Sequence, residues 1–215
     1  MDFILFGIQG SGKGTQGKIL AEKLPALYFE MGGELRRLSA EDSDLGRKVK
    51  SIIDAGHLVP TEVVMEIVRN FATTMSQDGK GSSIIFDGIP RNKEQNDQFV
   101  TLLNELGRDY TGIYFELSRE EAERRLVTRR MCKVCKTIYP AMYTQPACEK
   151  CGGELMTRAD DNADAIKTRI EIFYKETTPL VEEWKQQNKM IFVNAQPPIE
   201  EVTKELFNKI NSPAS

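Results

Sequence analysis

The stretch Gly7-Ile8-Gln9-Gly10-Ser11-Gly12-Lys13-Gly14-Thr15 constrains this chain more than any other. It follows a continuous apolar run, Phe3-Ile4-Leu5-Phe6, and precedes a helical pattern carrying Ile19, Leu20 and Leu24. An apolar run that ends in glycine reads as a buried parallel strand. A strand, a glycine-rich turn and a helix in that order are the setting of a phosphate-binding loop. Glycines let the backbone curl with its N–H groups turned inward, and the helix N-terminus adds partial positive charge. Lys13 then reaches the terminal phosphates of a nucleotide, and Thr15 stands beside its magnesium. Gly10, Ser11, Gly12, Lys13, Gly14 and Thr15 are therefore candidate ATP-binding residues. The competing reading, a tight turn with an incidental lysine, ignores the agreement between context and pattern.

The rest of the chain reads as more strands alternating with helices. Ala26–Phe29, Ser83–Asp87, Ile113–Leu117 and Met190–Val193 are candidate strands. Val63, Val64, Ile67, Val68, Phe71 and Met75 recur at helical spacing behind Thr61, a candidate N-cap. Ser118-Arg119-Glu120-Glu121 has the capping-box pattern. Asn162 or Asp164 opens a long helix with Arg169, Ile172 and Phe173, and Val202, Leu206 and Ile210 mark a closing one. Leu180, Val181 and Trp184 read as core packing. The expected class is α/β: a parallel sheet with helices on both faces. Its 215 residues suit one such body with small insertions. Residues 31–60 look like a small helical insertion, and the tail 212–215 is expected to fray.

Charge and cysteine usage narrow the setting. The net charge of −3 gives no reason to expect nucleic acid or an anionic membrane as partner. The N-terminus lacks the pattern of a secretory signal, and no run approaches the roughly 18 apolar residues of a membrane span. A cytoplasmic, monomeric protein is expected. In a reducing compartment its four cysteines suit a metal better than disulfides. Cys132-Lys133-Val134-Cys135 and Cys148-Glu149-Lys150-Cys151 are two C-x-x-C knuckles with twelve residues between them, a zinc-ribbon spacing. Four thiolates close the coordination sphere, so such a Zn2+ is structural. An iron–sulfur cluster remains the alternative for the same ligand set.

The run Gly10-Ser11-Gly12-Lys13-Gly14-Thr15-Gln16, with Gly14 where most phosphate loops have Ser or Thr, resembles the nucleoside monophosphate kinase family. Asp87-Gly88-Ile89-Pro90-Arg91 is similar to the adenylate kinase signature, with Ile89 at an aromatic position. The cysteine segment, through Gly152-Gly153-Glu154-Leu155 and Arg158-Ala159-Asp160-Asp161-Asn162, resembles the zinc-bearing lid of bacterial adenylate kinases. The resemblance covers residues 1 to about 210. It implies a core of 1–30, 61–127 and 162–215, a monophosphate-binding insertion at 31–60 and a lid at 128–161. It implies that Asp87 orients magnesium-bound water and that Ile138, Tyr139 and Pro197 lie at the ATP adenine. Arg36, Arg91, Arg158 and Arg169 would grip phosphates, and Met31, His57, Leu58, Val59, Gly88, Ile89, Pro90 and Gln95 would bind AMP. Arg125 and Arg129, four apart on a predicted helix, would share a face and join the catalytic set of Lys13, Arg91, Arg158 and Arg169.

Two departures stand out. Met31-Gly32-Gly33 occurs where the family commonly has Thr-Gly-Asp, and Asn194-Ala195-Gln196 replaces a usual Asp-Gly. The expected activity is Mg2+-dependent transfer from ATP to AMP giving two ADP. The alternatives are UMP, CMP or GMP as acceptor, or a non-catalytic nucleotide sensor with a zinc ribbon. His57, the only histidine, reads as a surface residue of its turn rather than a general base.

Overall fold

In the computed structural model, which describes residues 1–77, 82–140 and 143–211, two sheets of very different size are built from the chain. The expectation for the tail 212–215 lies outside the described residues. In chain order the elements are β1 (Asp2–Phe6), α1 (Lys13–Lys23), β2 (Ala26–Glu30), α2 (Met31–Ser39), α3 (Asp44–Asp54), α4 (Thr61–Gln77), β3 (Ser83–Asp87), α5 (Lys93–Glu105), β4 (Tyr110–Glu116), α6 (Arg119–Thr128), β5 (Arg130–Cys132), β6 (Ile138–Tyr139), β7 (Leu155–Met156), α7 (Ala163–Ile172), α8 (Thr178–Gln186), β8 (Met190–Asn194) and α9 (Ile199–Asn211). A 3-10 turn, Ala159–Asp161, precedes α7, and a π-helical turn, Phe173–Thr177, joins α7 to α8.

The large sheet is parallel throughout, in the order β2-β3-β1-β4-β8. Successive β1 side chains enter opposite faces, as a period of two requires. Ile4 and Phe6 join one cluster with residues of α4, α5 and α8, while Phe3 and Leu5 join the other with residues of α1, α6, α7 and α9. Trp184 is buried as expected. Its ring meets Phe6 edge-on at 5.1 Å, and its Nε1 donates to Asn96 Oδ1 at 2.9 Å. The small sheet is antiparallel, β6-β5-β7, with Cys132 ending β5 and the other three cysteines outside its strands.

Three expectations need correction. Thr61 is not an N-cap: the Pro60 carbonyl accepts from Val64 N–H, Thr61 is already helical, and its hydroxyl donates to Glu94 Oε2 at 2.7 Å. The strand expected at Ile113–Leu117 starts at Tyr110, because Tyr110, Thr111 and Gly112 pair through backbone with β1 although they extend no apolar run. Arg129 does not share a helix face with Arg125. α6 ends at Thr128 and Arg129 is extended (φ −65°, ψ 134°), which turns its side chain toward Asp161. The two proposed caps hold: Ser118 accepts from Glu121 N–H, and Asn162, rather than Asp164, from Ala165 N–H.

Candidate active site

The phosphate loop and the Asp87–Arg91 segment emerge side by side, since Leu5 of β1 pairs with Asp87 of β3. Ligands of open parallel sheets bind at this carboxyl edge. Gly12, at the N-cap of α1, has φ +81°, a conformation that glycine adopts without strain. The Gly14 that departs from the common phosphate-loop pattern has a packing reason: a Cβ there would lie 3.0 Å from Asp87 Oδ2 and 3.3 Å from the Tyr28 hydroxyl. Tyr28 donates to that same Asp87 oxygen at 2.7 Å. Burial, then the Asp87 charge, pushes the phenol far above its ordinary range, so Tyr28 stays a donor. The Gln9 Oε1 and Ser11 Oγ atoms are buried in the loop with no protein partner. Orphaned buried oxygens of this kind suit a site completed by a polar ligand.

Lys13 opens α1, with Nζ 3.5 Å from the Ile8 carbonyl. Burial lowers its pKa to about 8, Asp87 opposes the shift, and Arg91, Arg169 and Arg129 add to it. A lysine so placed is short of negative charge, which a phosphate supplies. Arg91 is fixed at three points. Its N–H donates to Gln95 Oε1 at 2.9 Å, its Nε to the Gly88 carbonyl at 2.9 Å, and its own carbonyl accepts from Thr177 at 2.7 Å.

Two small clefts meet at Gly88 and Arg91. One is walled by the phosphate-loop side, including Gly7, Gln9, Lys13 and Pro90. The other is lined by Met31, His57, Leu58, Val59 and Gln95. Ile89 belongs to neither: it is 1% exposed and packs in the core, which accounts for an aliphatic residue at that position.

The remaining arginines are held by carboxylates. Arg129 donates to both oxygens of Asp161 at 2.8 and 2.5 Å, and Arg169 reaches Asp161 at 3.1 Å. Arg158 pairs with Asp160 and Arg36 with Glu30. Burial alone would raise the Asp160 carboxyl, but Arg158, Arg169 and Arg36 hold it at about 2. Burial lowers Arg169 to about 10. Arg125 is committed elsewhere, to Glu121 and to the carbonyls of Ala195 and Gln196. It thereby fastens the β8–α9 loop that carries Pro197. Sequence reasoning had singled out neither Tyr28 nor Glu30. Their position on β2, beside β3, would have been the signal.

The four cysteine sulfurs lie within 4.8 Å of one another. Cys132 and Cys151 are 3.5 Å apart, and Cys135 and Cys148 are 3.4 Å apart. That spacing fits four sulfurs around one tetrahedral ion with metal–sulfur bonds of about 2.3 Å. Tyr139 is 2% exposed and its hydroxyl lies 3.1 Å from Cys148 Sγ. Of the pair expected at the ATP adenine, only Ile138, 38% exposed, presents its side chain to the surface.

A glycine-rich loop between strand and helix, a carboxylate on the neighbouring strand and converging arginines define a phosphate-loop nucleotide-binding protein of the phosphoryl-transfer class. The family model for adenylate kinase matches residues 5–189. An adenylate kinase of Fervidobacterium nodosum is 36% identical over 214 residues, covering 97% of this chain and 96% of the relative. Those of a Geobacillus species and of Bacillus subtilis are 36% and 35% identical over 208 residues, covering 94% of each chain. The chain belongs to the adenylate kinase family.

Proposed function

We propose that the chain catalyses the reversible reaction Mg·ATP + AMP ⇌ 2 ADP. The observation that carries this reading is the junction at Arg91: two clefts, one on the phosphate loop and one beside Gln95, share a single immobilised guanidinium. ATP occupies the first cleft with its phosphates on residues 10–15, and AMP the second with its phosphate toward Arg91.

An acceptor phosphate oxygen attacks the γ-phosphorus as the bond to the bridging oxygen breaks, leaving ADP on both sides. The acceptor needs no general base, because a phosphate monoester is already ionised at pH 7, with a second pKa of about 6. The chain's work is therefore positioning and charge stabilisation. Lys13 and Arg91 are fixed beside the junction. Arg36 exchanges Glu30 for a phosphate oxygen, while Arg129, Arg158 and Arg169, still held by Asp161 and Asp160, add positive charge around the transferring group. Magnesium bound with ATP neutralises phosphate charge, and Asp87 and Thr15 are the residues to hold its water shell. The carboxylate of Asp87, aimed by Tyr28, fits that role.

Residues 31–60 act as the monophosphate-binding part and 128–161 as the lid. The four cysteines hold a structural zinc that supplies the lid's rigidity. The substrates ATP, AMP and ADP are its partners, and the protein works as a monomer in the cytoplasm. Among the described residues no helix is long and apolar enough to cross a membrane.

Gln95 argues for adenine. Its Oε1 accepts from Arg91 N–H, so its Nε2 is what remains for the base. A donor suits the ring nitrogen of adenine or cytosine, which accepts, and opposes that of guanine or uracil, which carries hydrogen. Met31 lines the same cleft and adds only apolar contact. Incubation with Mg·ATP and each monophosphate in turn, with diphosphates quantified by chromatography, tests the reading. AMP should be the best acceptor, CMP the runner-up, and GMP and UMP poor. Tight ATP binding with no transfer would favour the nucleotide sensor.

A further inference from the structure

Glu30 ends β2 on the same sheet edge as Asp87, its register partner on β3. It occupies the N-cap position of α2, yet its side chain makes no capping bond. Instead Oε1 accepts from Arg36 Nη2 at 2.6 Å. The carboxylate lies against position 33: a Cβ on Gly33 would stand in ordinary contact with it, 3.6 Å from the Glu30 carboxyl carbon and 3.7 Å from its Oε2. The Glu30 carboxylate thus fills the space beside position 33.

Arg36 belongs to the converging set. Burial and then Arg158 lower its pKa, with Glu30 opposing, and Arg36 in turn depresses Arg91. Glu30 therefore meets one fork of this set as a phosphate oxygen would, since carboxylate and phosphate make the same demand on a guanidinium. It differs from Asp161, whose side chain is fully buried, in being one-third exposed (34%) and so able to swing into water.

We propose that Glu30 is a resident competitor for the acceptor phosphate. It holds Arg36 in the empty site, is displaced when the monophosphate arrives, and sets the affinity for the monophosphate below what the cleft would otherwise give. The proposal rests on the phosphotransfer reading above. It assigns Glu30 an affinity-setting role through Arg36 rather than contact with the reacting atoms.

The test uses the full chain with Glu30→Gln, which removes the charge but keeps the shape, and Glu30→Asp, which keeps the charge. AMP alone is titrated by calorimetry, and KM is measured separately for AMP and ATP. Glu30→Gln is expected to tighten AMP binding and lower the AMP KM roughly three- to five-fold while the ATP KM stays within about two-fold, the upper end of the scale of one exposed ion pair. Glu30→Asp is expected to stay near the parent. Unchanged or weaker AMP binding in Glu30→Gln overturns the proposal and makes Glu30 a residue that orients Arg36. Equal shifts in both KM values overturn it too. A parent protein that binds AMP but forms no ADP removes the phosphotransfer reading while leaving the binding arm interpretable. One that binds no AMP removes both.

Discussion

Two regions of the molecule, the sheet edge and the cysteine ribbon, are held in place by different means. Lys13, Asp87 and Arg91 stand at the edge of a five-stranded parallel sheet with a hydrophobic cluster on each face. The cysteine ribbon is three strands of three, two and two residues around a buried trio of Cys132, Tyr139 and Cys148. Ordering backbone costs about 1–2 kcal/mol per residue, whereas a fully buried large side chain returns about 1.5–3 kcal/mol. The ribbon cannot close that gap with one tyrosine and two partly buried neighbours, and a metal on the four clustered thiols would substitute for a core. Geometry in the sheet half is set by packing, whereas the ribbon half gathers four cysteine sulfurs within 4.8 Å of one another where a core would be.

Lys13→Ala should separate function from packing most sharply. Turnover should fall by about 10²–10³, the loss seen when a transition-state donor is removed. The melting temperature should hold or rise, because a buried cation among Arg91, Arg129 and Arg169 is a charge the fold tolerates rather than uses. Activity within a few-fold of the parent would break the assignment of the sheet half. Cys148→Ser is the matching test of the ribbon. Metal affinity should weaken at least about 10- to 100-fold. Amide exchange should quicken across residues 130–156 while β1, β3 and β4 stay protected. Exchange that quickens everywhere would mean that the two halves share one stability.

The smallest effect is a pH dependence specific to the sheet half. In the empty enzyme Lys13 titrates near 8, and a bound phosphate raises that value. The charged form is then fully present below pH 8, and binding above it requires proton uptake. The kcat/KM for ATP should be flat below about pH 8 and fall about ten-fold per pH unit above it. A profile flat to pH 10 would show that Lys13 is not depressed.

Much of this was legible in the sequence where local chemistry decides structure. The strand, glycine loop and helix around Lys13, the C-x-x-C knuckles and the caps at Ser118 and Asn162 are specified by neighbours a few residues apart. The readings that failed depend on partners distant in sequence. Arg129 leaves the helix to reach Asp161, Tyr110–Gly112 become strand by pairing with β1, and Thr61 bonds Glu94. Ile89 sits inside a binding signature but faces the core. Glu30 and Tyr28 carry no motif, and only the order of strands brings them to the site.

The carboxylate of Asp161 has a consequence for how such chains diversify. It grips Arg129, where the chain leaves α6, and Arg169, after it returns on α7. The excursion between them is thus tied off at its base. Once the ends of a loop are fixed, doubling its length costs only about 0.6 kcal/mol in closure entropy. A change in the ribbon's length is therefore expected to leave the register of the large sheet as it is.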